Sequence, residues 1–160
     1  MKTYKFATEL QVSAPRAEVF RFFADPRNLE RLTPPWLHFE IITPPDIDIE
    51  QGTLLDYRLR LRGIPLRWQS EISVWEPPLR FVDRQTKGPY SLWVHEHNFA
   101  EHARGTIVGD RVEYAVPGGR LVQKFFVAPD LERIFAFRHQ ILEQLFDLND
   151  SGTAQVKTGT

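Results

Sequence analysis

A histidine pair in the segment YSLWVHEHNF is the first feature of the sequence that could carry chemistry. Alternate residues of a β-strand point to the same side of the sheet, so His95 and His97 share one face. Trp93 and Phe99 lie on that face too, which makes it the expected wall of a pocket. Two imidazoles about 7 Å apart can act as acid and base on one bound molecule, or bind one metal ion if the rings converge. The pair also fits one histidine hydrogen-bonded within the wall and another that packs or faces solvent.

Asp83 and Glu113 are the residues that could complete a metal site with this pair. A stable site needs at least three protein ligands. The histidine motif itself contains no third ligand, so we predict neither a metal nor any other cofactor.

The segment LRFVDRQ places Phe81, Asp83 and Gln85 on one face of a strand. If Phe81 points inward, a carboxylate and an amide also point inward, and buried polar groups need partners. Arg138 lies on the apolar stripe of the C-terminal helix, where it can pair with Asp83 or contact His97. Such a pair either attaches the helix to the sheet, which we favour, or holds the polar end of a ligand.

These residues belong to a chain that begins with a strand and two short helices. Apolar residues alternate from Tyr4 to Val12, which predicts a strand with one buried face. Ser13 and Pro15 then predict a helix start with Ser13 as the cap. Asp25-Pro26 opens a second short helix, which Thr33-Pro34-Pro35 ends.

The region from Trp36 to Val116 is predicted to be strands separated by short turns, and short turns require antiparallel neighbours. Gly63 predicts a hairpin, and Arg58, Arg60 and Arg62 form a solvent-facing row before it. Helical periodicity returns from about residue 120 to 147. We predict an α+β fold: a curved antiparallel sheet of about six to seven strands, two short helices after the first strand and one long C-terminal helix. Residues 1–147 form the domain, and 148–160 are a polar tail expected to be flexible.

One long helix cannot easily fill the inside of a strongly curved sheet, so we expect a cavity between them. Core packing alone would explain each aromatic residue on the concave face, but their number favours a ligand site. The predicted ligand-binding residues are Tyr57, Leu59, Trp68, Phe81, Gln85, Trp93, His95, His97, Phe99, Tyr114, Phe135, Arg138 and Leu142.

Composition narrows the class of partner. The 160 residues contain no cysteine, so thiolate catalysis, disulfides and thiolate metal sites are excluded. The net charge of -1 favours neither nucleic acid nor an anionic membrane as a partner, and no apolar run reaches membrane-spanning length. We predict a cytoplasmic protein with no nucleic-acid or integral membrane contact, and leave its oligomeric state open.

Several stretches resemble a known superfamily: LTPPWLHFEIITP, LRGIPLRWQSEISVWEPPLRFVDRQTKGPYSLWVHEHNF, GTIVGDRVEYAVPGG and IFAFRHQIL. The order of elements over residues 1–147 resembles the START-like (SRPBCC) superfamily, which includes Bet v 1-like proteins, polyketide cyclases and coenzyme Q-binding proteins. The stretches themselves resemble bacterial ligand-binding members of this superfamily that are described as uncharacterised or as cyclase/dehydrase-like. The resemblance implies a helix-grip fold that binds or processes hydrophobic molecules.

Three functions follow as hypotheses. The first, which we favour over an enzyme, is non-catalytic binding or carriage of a small hydrophobic ligand, whether aromatic, polycyclic or lipid-like. The second is a cyclase or dehydratase in which His95 or His97 abstracts a proton, assisted by Asp83 and Arg138. The third is an interaction or stress-response module with a vestigial cavity.

Overall fold

The computed structural model of the chain describes residues 1–44 and 46–154, with side chains up to Asp147. Seven antiparallel strands form one curved sheet in the order β1-β7-β6-β5-β4-β3-β2. Their bounds are β1 Tyr4–Val12, β2 Glu40–Ile41, β3 Leu54–Leu61, β4 Ile64–Glu76, β5 Arg80–Lys87, β6 Leu92–His102 and β7 Gly105–Ala115. Apart from the pair β1 and β7, hydrogen-bonded neighbours follow one another in the chain, and turns of two to four residues join the strands from β3 to β7. The predicted helix-grip architecture is confirmed.

The helices lie at the two ends of the chain. They are α1 Arg16–Phe23, α2 Arg27–Leu32, a single 3₁₀ turn Pro35–Leu37, α3 Gly119–Val122, a π-helical segment Gln123–Val127 and α4 Ala128–Ala154. Among the described residues, no helix combines the length and the apolar composition needed to cross a bilayer.

The predicted helix caps and bounds need correction. Pro15 is the N-cap of α1, and no side chain of the described residues caps this helix. The Ser13 N–H donates to Asp147 at 3.0 Å instead. The C-terminal helical region is interrupted rather than uniform: its π-helical segment ends just before Pro129, which has no N–H to continue the α-helical ladder. Of the predicted tail 148–160, the backbone through Ala154 is helical, and 155–160 lie outside the described residues.

The β3–β4 hairpin turn corrects the predicted arginine row. Arg62 and Gly63 have φ values of 50° and 80°, the conformation of a two-residue type I′ turn. This turn removes Arg62 from the outer face, where Arg58 and Arg60 remain. Its guanidinium reaches Asp130 of α4 at 3.0 Å instead.

Bulges in the β4–β5 pair bend the sheet around its contents. The pairing skips Thr86 of β5 between Gln69 and Ser70, and it skips Ser73 of β4 between Ile72 and Val74. A bulge adds one residue to a strand and reverses the alternation beyond it. Trp75 consequently packs inward, 5.2 Å from the Phe20 ring, where sequence alternation predicts Val74 instead.

Two apolar clusters fill most of the space between sheet and helices. One is built around Phe20, Phe99 and Leu142, and the other around Tyr114 and Phe135. The polar residues predicted from the sequence lie where these clusters meet.

Candidate functional site

A cavity of about 160 Å³, here called the central cavity, lies between the concave face of the sheet, α2 and α4. A side cavity of about 40 Å³ adjoins it and shares with it Leu29, Tyr57, Asp83 and His97. A larger groove of about 530 Å³ lies beside β2, but exposed Arg58, Arg60 and Arg67 form much of its lining. Of these spaces, only the central cavity brings histidine, carboxylate, guanidinium and aromatic groups together.

Most of the predicted ligand-binding residues border one of the two cavities. The central cavity is lined by Tyr57, Leu59, Trp68, Trp93, His95, His97, Phe135 and Arg138, together with Asp83. Phe81 borders the side cavity.

Four predicted residues border neither cavity. Phe99 and Leu142 are packed within the first apolar cluster, and Tyr114 within the second. Gln85 bonds the backbone of Tyr90 through both its amide nitrogen and its carbonyl oxygen. Three of these side chains are packed in the core and the fourth is bonded to a backbone segment, so none of them forms the cavity wall.

The sequence prediction omitted about half of the cavity lining: Leu29, Thr33, Leu37, Phe39, Leu61, Ser70, Tyr90, Leu131 and Ile134. Helical spacing of apolar residues indicated some of these lining residues, both in the C-terminal helix and in the short helices near the N-terminus. Ser70 had a signal too, because it follows Trp68 by two residues on the same strand.

Five side chains form a polar cluster at the cavity wall: Asp83, His95, His97, Asp110 and Arg138. Strand register places His95 opposite Asp83 and His97 opposite Asp110, yet the shorter contacts run diagonally. His95 Nε2 lies 2.7 Å from Asp110 Oδ1, and His97 Nε2 lies 2.8 Å from Asp83 Oδ2. Arg138 Nη2 lies 3.6 Å from Asp110 Oδ1, so the predicted inward arginine pairs mainly with a carboxylate that the prediction omitted.

Asp110 had a usable signal in the sequence. It lies between Val108 and Val112 in an alternating strand and is 1% exposed, so it belongs to the inner face. Glu113 lies one residue out of phase with this face and is exposed, opposite Lys5. It therefore cannot complete a metal site with the histidines, which corrects that alternative.

Burial and charge set the protonation of the cluster. Burial alone would raise the pKa of Asp110, but Arg138 and the hydrogen bond with His95 outweigh it and hold this pKa below its usual range. Burial opposes ionisation of Asp83 in the same way, and His97, His95 and Arg138 lower its pKa. Burial, with repulsion from His95, lowers the pKa of His97 to about 4. Both carboxylates, buried Asp110 and partly buried Asp83, are therefore ionised at neutral pH, and His97 is neutral.

We expect the metal-free protein to lose stability as the pH falls from about 6.5 towards 4. An unfolded histidine takes up a proton near its usual pKa of about 6.5, whereas folded His97 resists protonation until about pH 4. Unfolding therefore takes up protons in this window, at a cost of about 3 kcal/mol of stability. Half-buried His139, whose pKa is also lowered, acts in the same direction, and Asp83 and Asp110 extend the loss to lower pH.

Urea unfolding in EDTA buffer at a series of pH values measures this dependence. His97→Gln should flatten the slope between pH 6.5 and 4. His102→Ala, an exposed histidine of the same strand, should leave it unchanged. A wild-type stability that is constant over this window would contradict the prediction.

Aromatic rings form the cavity wall beside the polar cluster. Trp68, Tyr90 and Trp93 pack against one another with ring centroids 4.8–5.5 Å apart. Burial raises the pKa of Tyr57, which keeps its hydroxyl protonated as a hydrogen-bond donor. The wall thus combines flat apolar surfaces with a few polar groups, as ligand sites do.

The description "Polyketide cyclase / dehydrase and lipid transport" belongs to the family whose model matches residues 12–137. Solved structures share the fold at low identity. TTHA0849 from Thermus thermophilus is 18% identical with a TM-score of 0.71, covering 88% of this chain and 95% of that one. CV1439 from Chromobacterium violaceum is 16% identical with a TM-score of 0.69, covering 89% and 96%. The ginseng major latex-like protein 151 from Panax ginseng is 10% identical with a TM-score of 0.68, covering 90% and 97%. No curated protein matches the sequence significantly.

Proposed function

The chain belongs to the polyketide cyclase/dehydrase and lipid transport family, and from this membership we propose that it binds or carries a small, mainly apolar molecule in the central cavity. The ligand places an oxygen atom against Arg138 and its apolar part against Trp68, Tyr90 and Trp93.

The observation that carries this proposal is the incomplete hydrogen bonding of Arg138. This residue is 6% exposed and borders the cavity, and its Nε and Nη2 atoms have no hydrogen-bond partner among the described residues. Unsatisfied buried donors are costly, by about 1–3 kcal/mol each and more for charged groups. A ligand oxygen satisfies them where a purely apolar ligand would not.

Cavity size selects among the candidate ligands. Sites for drug-sized molecules measure about 300–1,000 Å³, whereas a benzene-binding cavity of about 150 Å³ is known. A central cavity of about 160 Å³ therefore favours a ligand of one or two rings over a polycyclic molecule or a long lipid.

We expect saturable binding of 1-naphthol, with weaker binding of decanoate. Trp68 and Trp93 border the central cavity, whereas Trp36 and Trp75 do not. Quenching of tryptophan fluorescence by 1-naphthol should shrink in Trp68→Phe and Trp93→Phe and persist in Trp36→Phe. If neither 1-naphthol, benzoate nor decanoate binds saturably by calorimetry, the proposed function is wrong.

A second candidate function is acid–base catalysis on the bound molecule. The specific observation in its favour is that each cavity-facing imidazole has its own carboxylate, at 2.7 Å for His95 and 2.8 Å for His97. A carboxylate of this kind orients an imidazole for proton transfer.

Hydrogen–deuterium exchange at the α-carbons of 2-tetralone, a two-ring ketone, tests this catalytic function by NMR. If the protein is a catalyst, it should accelerate this exchange, and His97→Gln should abolish the acceleration while 2-tetralone still binds. Exchange at the rate seen in buffer alone would contradict catalysis.

A further inference from the structure

We propose that Asp83, His95 and His97 bind one divalent transition-metal ion, of the zinc and iron(II) class, at the wall of the central cavity. The proposal rests on the geometry of these side chains and does not depend on which organic molecule the cavity takes.

The ligand atoms already converge. One nitrogen from each histidine and one Asp83 oxygen all lie within 4.8 Å of one another. His95 Nδ1 is 3.7 Å from Asp83 Oδ2, and His97 Nε2 is 2.8 Å from the same oxygen. Two ligands held about 2.1 Å from a tetrahedral ion stand about 3.4 Å apart. The His95–Asp83 distance is already near this spacing. The His97–Asp83 distance would have to lengthen to it, as an ion takes the place of the hydrogen bond.

A second carboxylate lies behind the two imidazoles. Asp110 Oδ1 is 2.7 Å from His95 Nε2 and 3.4 Å from His97 Nδ1, the nitrogens on the far sides of the proposed ligand atoms. Metal-binding histidines typically donate their other N–H to a carboxylate in this way. Within the part of the chain that the structure describes, His97 Nδ1 is buried without a hydrogen-bond partner. An ion on Nε2 would place the proton on Nδ1, where Asp110 can accept it.

Access and charge also suit an ion. All three proposed ligands border the central cavity, whereas Asp110 does not, so the remaining coordination positions face the cavity. Two carboxylates and one guanidinium leave a net negative charge when both histidines are neutral. A dication together with an anionic oxygen, such as hydroxide or phenolate, neutralises it. A ligand set of two imidazole nitrogens and one carboxylate oxygen favours zinc or iron(II) over calcium or magnesium, which prefer sites made only of oxygen ligands.

The test uses untagged protein stripped with EDTA and then freed of it. Calorimetric titration with Zn²⁺ should give one ion per chain, and Co²⁺ should develop the visible absorption of a four- or five-coordinate site. An anaerobic Fe²⁺ titration and elemental analysis of the protein as purified distinguish zinc from iron.

Variants decide whether the binding is at this site. His97→Ala and Asp83→Asn should weaken Zn²⁺ binding more than Asp110→Asn, since loss of an outer partner costs about 10- to 100-fold. His102→Ala is the matched control and should bind Zn²⁺ as the wild type does. Circular dichroism of each metal-free variant checks that it is folded, and Asp83→Asn keeps the shape of the side chain.

Two results would overturn the metal site: no stoichiometric Zn²⁺, Co²⁺ or Fe²⁺ binding by the wild type, or binding unchanged in both His97→Ala and Asp83→Asn. Titration of 1-naphthol in EDTA separates this outcome from the proposed function, because organic binding can then succeed where metal binding fails.

Discussion

Replacing Arg138 with methionine is expected to lower the free energy of unfolding by about 3–5 kcal/mol, the range observed when one partner of a buried ion pair is removed. The Arg138 side chain is 7% exposed and lies 3.6 Å from Asp110, which is 1% exposed. Its guanidinium packs over Phe23 and Phe135. Methionine keeps much of that packing, so the loss reports on Asp110 and Asp83 left without the guanidinium charge that lowers their pKa values.

Urea unfolding at neutral pH in EDTA measures this loss, because EDTA prevents a metal ion from replacing the missing charge. Arg133→Met is the matched control. Arg133 is an exposed residue of the same helix, and its guanidinium lies 5.1 Å over the Trp36 ring. Its replacement should lower the free energy of unfolding by about 1 kcal/mol or less. In the Arg138→Met background, Asp110→Asn should cost less than in the wild type, because the unpaired charge is removed with it. A loss below about 1 kcal/mol for Arg138→Met would mean that Arg138 does not offset the buried carboxylates.

Strand alternation was sufficient to predict which side chains share the inner face. It placed His95 and His97 together, and it placed Asp83 beside Phe81, because a strand has a period of two wherever the pairing is regular. The same rule failed at Trp75, because one bulge in β4, at Ser73, reverses the alternation. Bulges depend on pairing with a neighbouring strand, and one sequence does not reveal that pairing.

Position along the strands and the helix could not be predicted in the same way. Leu142 and Phe135 share the inner stripe of α4, yet Phe135 borders the cavity and Leu142 is fully buried in the core. Large side chains such as Phe20 and Phe99 fill part of the space under this stripe. Their positions decide which residue of the stripe borders a cavity. The diagonal pairing of His95 with Asp110 also depends on register, which the turns fix and the alternation does not.

Trp93→Ala is expected to weaken 1-naphthol binding by about 30-fold or more, since aromatic anchors of this kind contribute about 2 kcal/mol or more. The Trp93 ring contacts three other rings of the wall, at 4.8 Å from Tyr90, 5.4 Å from Trp68 and 6.2 Å from His95. Its removal takes away a flat surface against which the ligand ring packs and enlarges the cavity by the volume of an indole.

Calorimetry with two probes distinguishes this effect from general destabilisation. Trp36→Ala removes an exposed indole that packs on Phe137 and does not border the central cavity, so it should leave 1-naphthol affinity unchanged. A three-ring phenol is too large for the wild-type cavity of about 160 Å³, and it should bind Trp93→Ala more tightly than the wild type. General destabilisation of the wall would weaken the binding of both probes. An enlarged cavity would instead weaken the binding of 1-naphthol and strengthen that of the three-ring phenol. Unchanged 1-naphthol affinity in Trp93→Ala would place the ligand elsewhere in the molecule.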